Sequence, residues 1–343
     1  MKVSIIGATG YGGLELIRLL HQHPLIDIAS LHSFSTQTET LADFYPHLKN
    51  LESSPLNQIN PAEIIDKSET VFLATPSGIS KDIAVPYVDA GLNVIDLSGD
   101  FRLKNGQVYE KWYGKSAAPE SYLTKAVYGL AEFQTNTSAT FIANPGCYAT
   151  ATLLGLAPLV RNQLIEPTSI IVDGKSGISG AGKAPSANTH FTEINENMTL
   201  YKMNAHQHIP EIMQQLNSWD EGIPAIQFST SLIPITRGIF ITIYVKPKMP
   251  MTKKQLHTLY TTTYENSPFV RIQPEDCYPT IKQVTASNYC DIGLAYNEKT
   301  NTITIVSVID NLVKGAAGQA IQNLNIIANF AENDGLNFIP VYP

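Results

Sequence analysis

Cys147 lies in Asn144-Pro145-Gly146-Cys147-Tyr148-Ala149-Thr150, a loop that runs into the apolar, alanine-rich stretch 151–159. That order predicts a thiol at the first turn of a helix. Unpaired backbone N–H groups and the positive end of the helix dipole gather there, which favours the thiolate and makes the cysteine a nucleophile. The competing reading is a small hydrophobe in a buried helix turn. A second set of reactive types is Ala205-His206-Gln207-His208-Ile209-Pro210-Glu211-Ile212. No further His or Cys stands near at ligand spacing, so no metal site is expected; a general acid or base fits better than a metal ligand, and a satisfied surface pair of histidines is the alternative. If Pro210 starts a helix, Glu211 falls in its first turn and can orient one imidazole while the other ring nitrogen serves a thiol or carbonyl.

Two glycine clusters point to an anionic ligand. Gly7-Ala8-Thr9-Gly10-Tyr11-Gly12-Gly13 follows an apolar strand and opens a helix. Gly7, Gly10 and Gly13 permit a tight turn, close approach to a pyrophosphate and helix packing, although the spacing G-x-x-G-x-x-G departs from the strict dinucleotide fingerprint. A glycine turn without a ligand is the alternative. At the end of the second strand an NAD site carries Asp or Glu, and this chain has Leu31-His32-Ser33-Phe34-Ser35-Thr36 instead. The missing carboxylate favours NADP, with Ser33, Ser35 or Thr36 able to meet a 2′-phosphate, but no Arg or Lys occurs between Arg18 and Lys49 to pair with it. In the second cluster, Gly174 to Lys183, the run Gly177 to Lys183 fits G-x-x-x-x-G-K, yet Ala184 replaces the Ser or Thr that a P-loop uses for magnesium. The cluster therefore reads as a loop whose backbone approaches a ligand closely.

The elements that must hold these residues alternate in the first part. Strands are expected at 3–6, 26–31, 70–74, 92–97 and 140–143, with helices at 14–21 and 80–90. That is the pattern of a Rossmann-type parallel sheet. Beyond the cysteine, 169–173, 226–230 and 240–246 read as strands of a mixed or antiparallel sheet in a second α+β domain, and 316–330 as an amphipathic C-terminal helix. The expected organisation is α/β: a dinucleotide-binding domain of 1–146 with 311–343, to which the last helix returns, and a catalytic and oligomerisation domain of 147–310. A net charge of -7 without a basic run excludes nucleic acid and an acidic membrane as partners. With three cysteines and no C-x-x-C pair, neither a disulfide framework nor a zinc site is expected. No basic leader precedes the first strand and no apolar run reaches membrane-spanning length, so a cytoplasmic protein is expected.

Six segments, taken in order, resemble the N-acetyl-γ-glutamyl-phosphate reductase family of the semialdehyde dehydrogenase superfamily. They are the loop from Gly7 to Gly13, Leu97-Ser98-Gly99-Asp100-Phe101-Arg102, the loop from Asn144 to Thr150, Ser176 to Gly182, His206 to Glu211, and Asp310-Asn311-Leu312-Val313-Lys314-Gly315-Ala316-Ala317-Gly318-Gln319-Ala320. The cysteine loop, H-x-H-x-P-E and N-L-V-K-G-A-A-G-Q-A are the specific ones. Departures are Phe34, where members often carry Arg or Lys, and Ala131, where they carry Pro. The resemblance implies NADPH-dependent reduction of an acyl phosphate to a semialdehyde with release of phosphate, in arginine biosynthesis, through a Cys147 thioester. It implies His208 as acid/base with Glu211 holding it, and His206 as runner-up. Cofactor contacts are expected from Gly7, Thr9, Gly10, Tyr11, Gly12, Gly13, Ser35, Thr75, Pro76, Gly180 and Asn311, the last on the nicotinamide amide. Substrate contacts are expected from Arg102 (phosphate), Arg237 (carboxylate), Asn144, Ser176 and Gly177. A homodimer or homotetramer is implied. The alternatives are an aspartate-semialdehyde or aminoadipyl-phosphate enzyme of the same superfamily, a non-catalytic dinucleotide sensor, and a P-loop NTPase.

Overall fold

The computed structural model describes residues 1–34, 39–52 and 54–343. The chain divides into two compact units: Met1–Pro145 with Ala316–Asn337, and Gly146–Gly315 with Phe338–Pro343. Residues 311–315 and the last six thus cluster with the second unit, where the Val341 N–H donates to the Thr285 carbonyl (3.0 Å) and Lys282 lies over the Tyr342 ring.

In the first unit, β1 (Lys2–Ile6), β2 (Asp27–His32), β3 (Leu56–Asn57), β4 (Thr70–Leu73), β5 (Asn93–Asp96), β6 (Val127–Tyr128) and β7 (Phe141–Ala143) form one sheet of order β3-β2-β1-β4-β5-β7-β6. Every pair in it is parallel. Strands such as Thr70–Leu73 are buried at every position, as expected for a sheet covered on both faces. Its core includes Ile6, Val71, Leu73, Val94, Phe101 and Phe141, with the last two rings edge to face at 4.7 Å. The expected helix over 80–90 is two pieces, Ser80–Ile83 and Val85–Asp89, because Pro86 has no N–H to continue the first. The expected C-terminal helix is Gly318–Ile327, preceded by a wide π turn at Val313–Ala317.

The second unit is built on β8 (Ile171–Ser176), β9 (Thr199–Tyr201), β10 (Gln227–Leu232), β11 (Ile239–Val245), β12 (Val270–Ile272), β13 (Cys290–Asn297) and β14 (Thr302–Ile309). Their order is β12-β13-β14-β11-β8-β10-β9, a mixed sheet in which β8/β10 and β12/β13 are parallel and the other pairs antiparallel. Along β11, Ile239, Ile241, Ile243 and Val245 are buried while the residues between them are more open. The buried face receives the helix Cys147–Arg161. From Tyr148 to Val160 this helix is buried at every residue. Each fully buried Leu, such as Leu153, Leu156 or Leu159, contributes about 1.5–3 kcal/mol. Gly155 permits the close approach to the sheet, since a Cβ there would stand 2.9 Å from Ile243 Cδ1. Among the described residues no helix is long and apolar enough to cross a membrane.

Candidate active site

Cys147 is the first residue of its helix, after Gly146 in extended conformation (φ -73°, ψ 154°). No side chain of Gly146 caps the turn; the Gly146 N–H instead donates to Glu211 Oε1 at 2.7 Å, and the Thr150 N–H bonds the Gly146 carbonyl at 2.8 Å. Glu211 is fully buried and lies in the first turn of the helix His208–Trp219. Sequence reading made Glu211 the support of His208; one of its carboxylate oxygens also ties down the cysteine loop. A negative group at that helix start is favoured by the dipole and locks the nucleophile's loop to the histidine helix.

Around this junction of two helices stand aromatic rings. His206 is 5.2 Å from Tyr148, 5.8 Å from Tyr201 and 4.6 Å from His208, each edge to face. Tyr201 donates to the Tyr148 hydroxyl at 3.1 Å. Burial holds His206 down to about 2, with the charge of His208 adding to it, and pushes Tyr201 up to about 12. Tyr148 is also raised, by burial first.

A second cluster surrounds Asp310 and Asn311. Asp310 is fully buried; its Oδ1 accepts from the Leu312 and Val313 N–H groups and its Oδ2 from Ala286 N and from Arg237 Nη1 (3.2 Å). Arg237 is about a quarter exposed, so Asp310 aims a guanidinium that still reaches solvent. Asn311, expected on a nicotinamide amide, uses Oδ1 to accept from Gly238 N (2.7 Å) and Nδ2 to donate to Ser179 Oγ (3.0 Å). Its carboxamide joins two loops of the protein. Ser176 Oγ donates to the Gly177 carbonyl, and a Cβ on Gly180 would stand 2.9 Å from that hydroxyl. The N–H groups of Gly177, Ile178, Ser179, Gly180 and Gly182 all bond protein carbonyls. A P-loop needs such groups turned toward phosphate, so this cluster is not one. The segment then returns to the nucleophile: a Cβ on Gly315 would lie 2.7 Å from Cys147 Cβ and 3.1 Å from its Cα.

In the first unit, the glycine loop is shaped by close contacts. Gly7 has φ +92°, and a Cβ there would stand 2.3 Å from the Ala74 carbonyl oxygen; one on Gly13 would stand 2.3 Å from that of Gly7. Gly12 faces only contacts at 4.0 Å. Helix Tyr11–Leu20 begins at Gly10 with no side-chain cap, leaving the Tyr11, Gly12 and Gly13 N–H groups at an uncapped start that suits a pyrophosphate. Thr9 takes the Tyr45 hydroxyl on its carbonyl (2.9 Å) and lies 3.3 Å from Ser33 Oγ. Ser35 lies outside the described residues. Thr75, beside Pro76, bonds Ser80 Oγ at 2.8 Å. Arg102, expected on phosphate, is buried and donates Nε to the Asn144 carbonyl and Nη2 to that of Leu97, both at 2.8 Å. Asn144, expected on substrate, is fully buried, donating to the Ala316 carbonyl and accepting from Asn323 Nδ2. Among the described residues no group of three or more His, Cys, Asp or Glu is arranged to hold a metal. Gly315, Tyr201 and Asn323 were not expected from sequence; Gly315 lay inside a quoted motif, the other two carry no local signal.

Residues 2–140 match the semialdehyde dehydrogenase NAD binding domain and residues 147–311 the semialdehyde dehydrogenase dimerisation domain, so the class is that of the semialdehyde dehydrogenases. Solved structures of that class share the fold: aspartate semialdehyde dehydrogenase II from Vibrio cholerae, complexed with ASA, superposes with a TM-score of 0.71 at 18% identity, over 96% of this chain and 98% of that one. The enzyme from Candida albicans, with NADP, does so at 0.67 and 17%, over 97% and 99%. Within the class, the chain belongs to the N-acetyl-gamma-glutamyl-phosphate reductase family. It is 83% identical over the whole of both chains to that of Listeria monocytogenes serotype 4a (strain HCC23), and 55% identical, again over the whole of both, to that of Bacillus cereus (strain AH187).

Proposed function

We propose that the protein reduces N-acetyl-γ-glutamyl phosphate to N-acetylglutamate 5-semialdehyde with NADPH, a cytoplasmic step of arginine biosynthesis, as a homodimer or homotetramer. The observation that carries the reading is Cys147 at the first residue of a buried helix whose start is tied by Glu211 to the helix of His208. Cys147 Sγ attacks the γ-carbonyl carbon; the C–S bond forms, the C–O bond to phosphate breaks, and phosphate leaves. NADPH, when bound, supplies the hydride that reduces the thioester carbon. His208 holds the proton that neutralises the oxygen of the resulting thiohemiacetal and takes it back as the C–S bond breaks, releasing aldehyde and regenerating the thiolate.

The chain's remaining roles follow from its hydrogen bonds. The uncapped helix start at Tyr11 to Gly13, with Gly7, Thr9 and Gly10 shaping the turn, fits the cofactor's pyrophosphate, and Thr75 and Pro76 border the dinucleotide. Ser35 is kept as the 2′-phosphate contact. Arg237, aimed by Asp310, fits the substrate carboxylate. Ser176, Gly177 and Gly180 line the loop beside it. Arg102, Asn144 and Asn311 also hold loops of the protein and keep their roles toward phosphate, substrate and the nicotinamide amide, respectively. The test is NADP reduction, dependent on inorganic phosphate, against a panel of semialdehydes. N-acetylglutamate 5-semialdehyde should be the best substrate and Cys147→Ser inactive. Full activity of that variant would end the covalent mechanism, and preference for aspartate semialdehyde would move the substrate assignment.

A further inference from the structure

We propose, on the reading of His208 as the proton carrier, that His206 is a positioning residue: its Nδ1 accepts the backbone N–H of His208 and thereby fixes the first turn of the histidine helix and the direction of the His208 imidazole. The bond measures 3.1 Å. A helix start has four N–H groups without intrahelical partners, and here the residue before the helix, Gln207, sits at φ -61°, ψ -13° and caps nothing with its side chain. Pro210 removes one of the four, so His206 meets the one belonging to His208 itself. An imidazole from outside the helix takes the place that Ser, Thr or Asp usually fills.

The ring that does this is fixed on several sides. It is 4% exposed and packed against Tyr148, Tyr201 and Phe228. Tyr201 is itself held to Tyr148, whose hydroxyl donates to the Ser231 carbonyl (3.4 Å). Because Nδ1 accepts, the proton of the neutral ring resides on Nε2. The titratable groups around it are His208, Glu211, Lys202, Tyr148 and Tyr201. Burial, then the charge of His208, hold it to about 2, so it stays neutral beside a charged neighbour at neutral pH. A ring that remains neutral has no proton to give at neutral pH, yet it can orient one that has.

The experiment uses the full chain with His206→Asn, His206→Gln and His206→Leu, measured by kcat, KM and pH–rate profile. Asn places an acceptor near the Nδ1 position, whereas Gln reaches toward Nε2 and Leu offers none. His206→Asn should keep kcat within about five-fold. His206→Gln and His206→Leu should lose on the order of 100-fold in kcat, the scale of a misplacement near 1 Å, with both KM values changed by less than about two-fold and the pH profile unshifted. An Asn variant as slow as Leu, or a lost limb of the pH profile, would make His206 the proton carrier, and a Gln variant as fast as the parent would show that no acceptor at the Nδ1 position is needed; each overturns the proposal. Nitrogen-15 NMR of the parent chain reads the ring without activity: a neutral Nε2–H tautomer persisting to about pH 5 is expected, and an imidazolium there refutes it. Absence of phosphate-dependent NADP reduction by the parent would instead sink the activity reading alone.

Discussion

Gly315→Ala probes the packing around the nucleophile's Cα and Cβ. Its effect separates two opposed terms. Replacing Gly by Ala at a compatible helical position stabilises by about 0.4–1 kcal/mol through the unfolded chain. Here the new methyl would stand 2.7 Å from Cys147 Cβ, 3.1 Å from Cys147 Cα and 3.3 Å from Ile309 Cδ1. Carbon atoms pack at about 3.5–4.0 Å, so the closest pair must separate by roughly 1 Å. Neither Cys147 atom is the movable end of a long side chain; relief has to come from the helix start or from the π turn Val313–Ala317. Overpacking of this kind costs about 1–3 kcal/mol, which outweighs the backbone gain. If the cysteine yields, a shift near 1 Å lowers kcat on the order of 100-fold. The assay is a thermal melt beside phosphate-dependent NADP reduction and the iodoacetamide labelling rate of Cys147. A variant that melts at or above the parent and turns over at the parent rate would show that the contact is not constraining.

Two more perturbations read the supports around the site. Glu211→Gln retains an acceptor for the Gly146 N–H and should melt near the parent, whereas Glu211→Leu buries that N–H without a partner; it should lose about 1–3 kcal/mol and label more slowly at Cys147. Equal melts for the two would refute the hydrogen-bond role. In the first unit, burial and then the charge of Asp100 push the fully buried Asp96 up to about 6. Its folded pKa exceeds the unfolded value of about 3.9, so the folded state holds the extra proton and stability falls as pH rises between those values. Asp96→Asn should therefore stabilise by up to about 3 kcal/mol above pH 6 and by little near pH 3.5; denaturant melts giving the same difference at both pH values would contradict this.

The parallel sheet was legible because its strands are short apolar runs bounded by glycine and polar turns, and the cysteine helix because thirteen consecutive buried residues follow one glycine. What sequence could not resolve were contacts made by residues far apart in the chain. The bond of Glu211 to Gly146 depends on two helix starts meeting across 65 positions. Asn311, Arg102 and Asn144 are polar types suited to ligands, and sequence does not show the loops of the protein that they also bond. His206 and His208 are equivalent by spacing and both are buried; a single backbone N–H bond distinguishes them.

The helix Gly318–Ile327 buries Gln319, Gln322, Asn323 and Asn325, and these polar groups close the first unit's own bonds. Asn323 holds the Gly129 carbonyl and Asn144, Asn325 meets His23, and Gln319 takes the Ala131 N–H. On the ribosome, residues 1–145 must wait until Asn325 before those partners exist, an interval of 180 residues (325 − 145). At typical elongation rates that is roughly 9 to 36 s, during which the first unit's sheet lacks these partners. The first unit is thus begun early and finished late, and a chain ending before Gly318 would leave buried donors and acceptors of that unit exposed to chaperones and proteases.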